Sequence, residues 1–152
     1  MKKLFAVLAA VMMVMSFASC GKSSYEVSQY DIAKTNDQVR MFIKQKTVTD
    51  ETDKVAVTLE NLMDTAYTYD AVQRLEVWQD SHWCVVPDMQ EAVTLEIYTL
   101  PANGSDDIFF NFQKHYDKLP DGWYRMVKSL VDGDGNIALA TAEFGIGRAS
   151  KE

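Results

Sequence analysis

From residue 38 onward, apolar and polar residues alternate in short runs, and no stretch has the length and 3.6-residue period of a substantial helix. Val39, Met41 and Ile43 alternate with Gln38, Arg40 and Lys44, and Val55, Val57 and Leu59 alternate with Lys54, Ala56, Thr58 and Glu60. The same holds for Leu75 and Val77 against Arg74 and Glu76. Val93, Leu95 and Ile97 stand against Thr94, Glu96 and Tyr98, and Ile108, Phe110 and Phe112 against Phe109, Asn111 and Gln113. A period of two sends neighbouring side chains to opposite faces of a strand. Each run is therefore expected to place its apolar set inward and its polar set in water.

Turn chemistry separates the runs. Polar or Pro/Gly-bearing clusters stand at 49–53, 61–64, 101–105 and 120–122. Asp132-Gly133-Asp134-Gly135-Asn136 is the strongest hairpin signal and joins Trp123–Val131 to Ile137–Ile146. A short helical turn is expected at Lys114–Lys118. Strands and helices do not alternate, which argues against a parallel sheet. The expectation is an all-β fold, a two-sheet antiparallel sandwich of about seven strands spanning 38–147. Residues 20–37 form a tether and candidate edge strand, and 148–152 a tail.

The first twenty residues are of another kind. Met1-Lys2-Lys3 gives a positive start, Leu4 to Met15 an apolar run, and Phe17-Ala18-Ser19 small residues before Cys20. That order is a secretory signal, and the run is short of the roughly 20 apolar residues that span a bilayer. The cysteine at the cut makes it resemble a bacterial lipoprotein signal occupying 1–19. The resemblance implies lipid on the Cys20 sulfur and a location on the extracytoplasmic side of the cell membrane or outer membrane. Two or more acyl chains anchor stably.

The net charge is -7, and it becomes two units more negative once Lys2 and Lys3 leave with the signal. Such a chain lacks the cationic surface through which proteins hold nucleic acid. It is also repelled by anionic headgroups, so the anchor rather than the domain surface is expected to hold the membrane. With Cys20 acylated, Cys84 is the only other cysteine, so no internal disulfide forms. Cys84 reads as a small hydrophobe on a strand.

Leu119-Pro120-Asp121-Gly122-Trp123-Tyr124-Arg125 carries a Pro-x-Gly turn followed at once by a tyrosine-bearing strand. This resembles the tyrosine corner of immunoglobulin-like sandwiches, with Tyr124 as the corner and Pro120 and Gly122 as its turn. Other pieces fall in the same order: Val57–Asn61, Tyr67-Thr68-Tyr69, Leu75–Trp78, Trp83, Val86-Pro87, Leu100-Pro101 with Gly104-Ser105, and Ala142-Glu143-Phe144. Together they resemble a bacterial immunoglobulin-like domain family found in extracytoplasmic proteins and lipoproteins, over roughly Val55 to Gly147. The resemblance implies a fold and a setting, not a catalytic activity. The crowded Gln79–Trp83 link departs from it, and so does the absence of a pair of bridging cysteines.

Asp132, Asp134, Asn136 and Glu143 fall at the first, third, fifth and twelfth places of a calcium loop, but Ile137 stands where that loop needs Gly. The flanks also alternate as strands, which carries Glu143 away from the turn, so no calcium-loop site is expected there, and a weakly held cation at the acidic tip stays open as the alternative. His82 with Cys84 and His115 with Asp117 each fall short of a zinc set, and surface histidines are expected. Asp106 and Asp107 are adjacent and read as a solvated turn. No nucleophile elbow or phosphate-binding loop occurs, so neither enzymatic activity nor a cofactor is expected. Trp78, Tyr98 and Trp83 are the candidate binding surface, unless the second sheet or the N-terminal stretch covers them. The expected function is a membrane-anchored extracytoplasmic lipoprotein acting as a non-catalytic binding or scaffold module for a protein or glycan. The alternative is an inhibitor or immunity-type lipoprotein that blocks an extracytoplasmic enzyme.

Overall fold

The computed structural model describes residues 25–31, 37–90 and 95–148. Within them the chain forms β1 (Val39–Ile43), β2 (Lys54–Asn61), β3 (Tyr67–Asp70), β4 (Arg74–Gln79), β5 (His82–Val85), β6 (Ile97–Leu100) and β7 (Ser105–Asn111). A single helical turn, α1 (Phe112–His115), precedes the long hairpin of β8 (Gly122–Asp132) and β9 (Ile137–Ile146). Two antiparallel sheets face each other. The smaller runs β1-β2-β7, and the larger runs β5-β4-β8-β3-β6 with β9 also on β8. The signal residues and Cys20 lie outside the described residues.

Strand β8 organises the larger sheet. β9 pairs with it from Gly122 to Val131 and takes one edge. The other edge is shared: β4 takes Tyr124–Val127, and β3 takes Leu130–Asp132. β3 and β4 are thus two collinear halves of one strand, broken at residues 71–73. A tight hairpin adds a further strand at the crowded link, where Asp80 and Ser81 take φ of 50° and 66°. These two events raise the count above the expected seven. The helical turn starts at Phe112 rather than Lys114, because the Phe112 N–H donates to the Asp53 carbonyl (2.8 Å) at the end of β7.

Alternation sets the core. Val55, Val57 and Leu59 from β2 meet Leu75, Val77, Tyr124, Met126 and Leu130 from the larger sheet, all at most 3% exposed. Phe144 stacks between Tyr124 (5.7 Å) and Phe112 (5.6 Å). β6 alternates in the opposite phase from that expected. Tyr98 stacks on Tyr69 and Leu100 is buried, while Leu95 and Ile97 stand 84% and 67% exposed. The period of two is kept, but at this edge strand pairing with β3 decides which set faces inward. Val93 lies outside the described residues.

Two side-chain amides close strand edges. Gln45 donates to the Lys54 carbonyl (3.2 Å) and accepts from the Ala56 N–H (3.0 Å), extending β1 along β2. Gln73 donates to the Phe109 carbonyl (2.8 Å) and accepts from the Asn111 N–H (2.8 Å), pairing with β7 as a strand would. Such cover removes a template for unwanted pairing.

The turn before β8 is closed by Tyr124, whose hydroxyl donates to the Pro120 carbonyl at 2.7 Å. Gly147, at φ +69°, seats Asp121 so closely that a Cβ would lie 2.2 Å from its Cγ. We expect Tyr124→Phe, which strands the Pro120 carbonyl, to cost about 1–2 kcal/mol in urea unfolding with an unchanged denaturant slope.

Candidate functional site

The break between β3 and β4 is where the larger sheet departs from regular pairing. The Asp70 carboxylate accepts from the Val72 N–H (3.1 Å) and turns the chain off β8. Lys128 follows Tyr124 and Met126 on the inward face of β8 and is only 3% exposed. Its ammonium donates to the Val72 carbonyl oxygen (2.6 Å), the one acceptor it meets among the described residues. It also lies 5.6 Å from the Tyr69 ring centre and 5.9 Å from that of Phe110. Burial pulls its pKa from 10.5 down to about 8, against the opposing pull of the Asp70 carboxylate.

Above Lys128 a groove of about 420 Å³ opens between the two sheets. Tyr69 and Tyr98 form one wall, with ring centres 5.4 Å apart and planes 24° from parallel. The β7 segment from Asp106 to Phe110 forms the other, and Phe109 is 58% exposed. The Tyr69 hydroxyl donates to Asp106, and burial with that carboxylate pushes the phenol well above its ordinary range. Asp107 pairs with Lys44 (2.6 Å) and accepts from the Thr58 hydroxyl (2.6 Å), which together hold it below the usual carboxylate range. Asp106 and Asp107 point to opposite faces, as neighbouring strand residues do, and Asp107 is exposed, but both lie within β7 and not in the turn expected.

On the opposite face of the larger sheet lies a second constellation. Residues 25–31 run beside β5 as a strap. Val27 bridges Cys84, the Ser28 N–H donates to the Trp83 carbonyl (2.8 Å), and the Val85 N–H donates to the Glu26 carbonyl (2.8 Å). Beneath it Glu76 is 0% exposed, although alternation placed it in water. Its carboxylate accepts from Arg125 Nε (2.6 Å) and from the Ser28 hydroxyl, and Arg125 also donates to the Tyr30 carbonyl (2.8 Å). The guanidinium lies 4.4 Å from the Trp83 ring centre, and Trp78 meets Trp83 edge-on at 5.2 Å. The Asp31 carboxylate accepts from the Trp83 N–H and pairs with His82 Nδ1 (2.8 Å), chiefly the latter holding it below its usual range.

Trp83 is interior at 3% exposure, the alternative in which the N-terminal stretch covers it. Trp78 is half-buried beside it, and only Tyr98 of the three lines the groove. Trp78 and Tyr98 lie on opposite faces of the sheet and do not form one surface. At the hairpin tip Asp132 accepts from the Asp134 N–H (2.9 Å) and the Asn136 N–H (2.8 Å) and from Asn136 Nδ2 (2.9 Å), closing the turn on itself. Glu143 stands opposite Arg125 on β9 and accepts from Trp123 Nε1 (2.8 Å). His115 pairs with Asp88 (2.9 Å) and its side chain is 12% exposed, more covered than expected. Burial pushes the Cys84 thiol up, away from reactivity. Among the described residues no three metal-ligating side chains converge.

Sequence reasoning missed Lys128, Glu76 and Arg125. The signal for Lys128 was present, since it interrupts the apolar series Tyr124, Met126, Leu130. Nothing local marked the other two.

Paired antiparallel sheets, a Tyr-to-Pro120 corner and a long β8–β9 hairpin define an immunoglobulin-like β-sandwich. Residues 35–144 match the family described as bacterial Ig-like domain, and the chain belongs to that family. No curated protein matches it. Among solved structures, the Northeast Structural Genomics Consortium target SoR45 is 15% identical with a TM-score of 0.45, over 74% of this chain and 88% of that one. The archaellum periplasmic stator complex FlaF and FlaG from Sulfolobus acidocaldarius is 16% identical with a TM-score of 0.39, over 81% and 100%. The PmoD soluble domain from Methylocystis is 15% identical with a TM-score of 0.32, over 72% and 89%.

The Lys128 shift sets a pH dependence. Below pH 8 the folded and unfolded chains both hold this proton. Between about pH 8 and 10.5 the unfolded chain holds a proton that the folded chain has released, so raising the pH favours folding. We expect the stability of the natural protein relative to Lys128→Met to rise across that window by about 3 kcal/mol in urea unfolding. A flat difference contradicts a buried ammonium.

Proposed function

We propose that the protein is an extracytoplasmic lipoprotein, anchored through acylated Cys20, whose Ig-like domain is a non-catalytic binding module working through the groove over Lys128. An Ig-like domain fits a binding or scaffold role. The groove carries the binding half of the reading, because it sets a buried, singly accepted ammonium beneath an aromatic wall. Concave sites with a few convergent polar groups are where ligands bind. The leader ending in Phe17-Ala18-Ser19-Cys20 supports the anchor.

The membrane contact is the lipid itself, and the partner is a protein or glycan on the same side of the envelope. The acidic surface leaves nucleic acid out of the reading. For the full-length chain expressed in bacteria, we expect mass spectrometry to find Cys20 as an acylated N-terminal residue, and Cys20→Ser to move the protein out of the membrane fraction. A photocrosslinker at position 98 is expected to capture an envelope component that one at position 42, on the other sheet, does not. Unmodified Cys20, or equal capture at both positions, contradicts the corresponding half.

A further inference from the structure

We infer that the groove over Lys128 binds a neutral pyranose sugar residue. This rests on the groove being the binding site proposed above and goes on to name the ligand class. The choice follows from three features of the lining.

The first is donor supply at the floor. An ammonium has three N–H donors. Lys128, 97% buried by its 3% exposure, spends one on the Val72 carbonyl and lines the groove. The other two have no protein acceptor among the described residues, which leaves them to an occupant with oxygen acceptors. The second is acceptor supply at the rim. Asp70 and Asp106 line the groove, each accepting one protein bond, from the Val72 N–H and the Tyr69 hydroxyl respectively. A carboxylate has room for about four. Sugar hydroxyls both donate and accept, so one ring can meet floor and rim together.

The third is the aromatic wall. Tyr98 is 41% exposed and held by its stack on Tyr69, a fixed apolar plate at the groove mouth. The C–H face of a pyranose packs on such a plate without stranding a polar group. Charge then decides among polar ligands. An anion reaching Lys128 passes two carboxylates in a poorly screened site, and a cation drawn to those carboxylates meets the buried ammonium. Asp107 adds no free charge, since Lys44 neutralises it at 2.6 Å. A neutral, hydroxyl-rich ring escapes both penalties, and about 420 Å³ lies in the range of small-molecule sites.

The test uses the natural domain with its N-terminal strap, titrated by NMR with glucose, mannose and N-acetylglucosamine and with short oligosaccharides of each. Oligogalacturonate and oligoglucosamine serve as the anionic and cationic counterparts. We expect at least one neutral saccharide to shift the Tyr69, Tyr98, Phe109 and Lys128 signals, more strongly than either charged counterpart. Binding by the monosaccharide marks a free sugar as sufficient, and binding by the oligosaccharide alone marks a glycan chain. Tyr98→Ala and Lys128→Met are expected to weaken binding at least about tenfold. Phe42→Ala, at an exposed residue of the other sheet, is expected to leave it unchanged. If Lys128→Met fails to fold, the surface variant Tyr98→Ala carries the test alone. Groove signals unmoved by every neutral saccharide, or binding that survives Tyr98→Ala, overturns the ligand class. If position 98 still captures an envelope protein in that case, the binding module stands and only the sugar falls.

Discussion

A carboxylate with no solvent exposure lies between the larger sheet and the N-terminal strap. Taking an ionic group out of water costs several kcal/mol even after relaxation, so Glu76 at 0% exposure depends on the hydrogen bonds of its partners. Arg125 supplies the countercharge, but the set is completed by two groups from outside the sheets, the Ser28 hydroxyl on Glu76 and the Tyr30 carbonyl on Arg125. Residues 25–31 therefore belong to the fold, although they lie N-terminal to every named strand. The pair need not add net stability to do this. It makes the undocked strap costly.

The docked strap decides which surface the protein presents. It covers Trp83 and half-covers Trp78, so Trp83 becomes interior and the pair no longer forms an open aromatic surface. The groove lies on the other face of the sheet, where the β3–β4 break lets Lys128 replace a missing strand bond. Gln73, from the same break, closes the edge of β7. The interruption at residues 71–73 thus supplies the floor of the groove and guards an adjacent edge.

What the sequence disclosed follows from the range of the interactions concerned. β2 is legible from Lys54 to Glu60, because there its alternation and its burial are the same fact. The turn at Pro120–Gly122 and the Asp132–Asn136 hairpin are legible because their chemistry is local. Alternation puts Glu76 in water because its partner lies 49 positions away and its cover comes from a segment without periodicity. The phase of β6 is misread because an edge strand with apolar residues in both sets does not declare its inner face. Of the candidate surface, Tyr98 belongs to the groove while Trp78 and Trp83 belong to the strap. Alternation sets Trp78 and Tyr98 apart from the apolar sets of their own runs, but it does not reveal what covers each.

The most direct measurement is native-state amide hydrogen exchange on Glu76→Leu/Arg125→Met, a double variant that removes the buried charges together and leaves neither stranded. The expected result is a folded sandwich in which the β8–β9 amides stay protected, while the Ser28 and Val85 amides, which join strap to sheet, exchange at least about a hundredfold faster than in the natural protein. Unchanged protection at Ser28 and Val85 would show that the strap holds without the ion pair, and would contradict a docking role for Glu76 and Arg125.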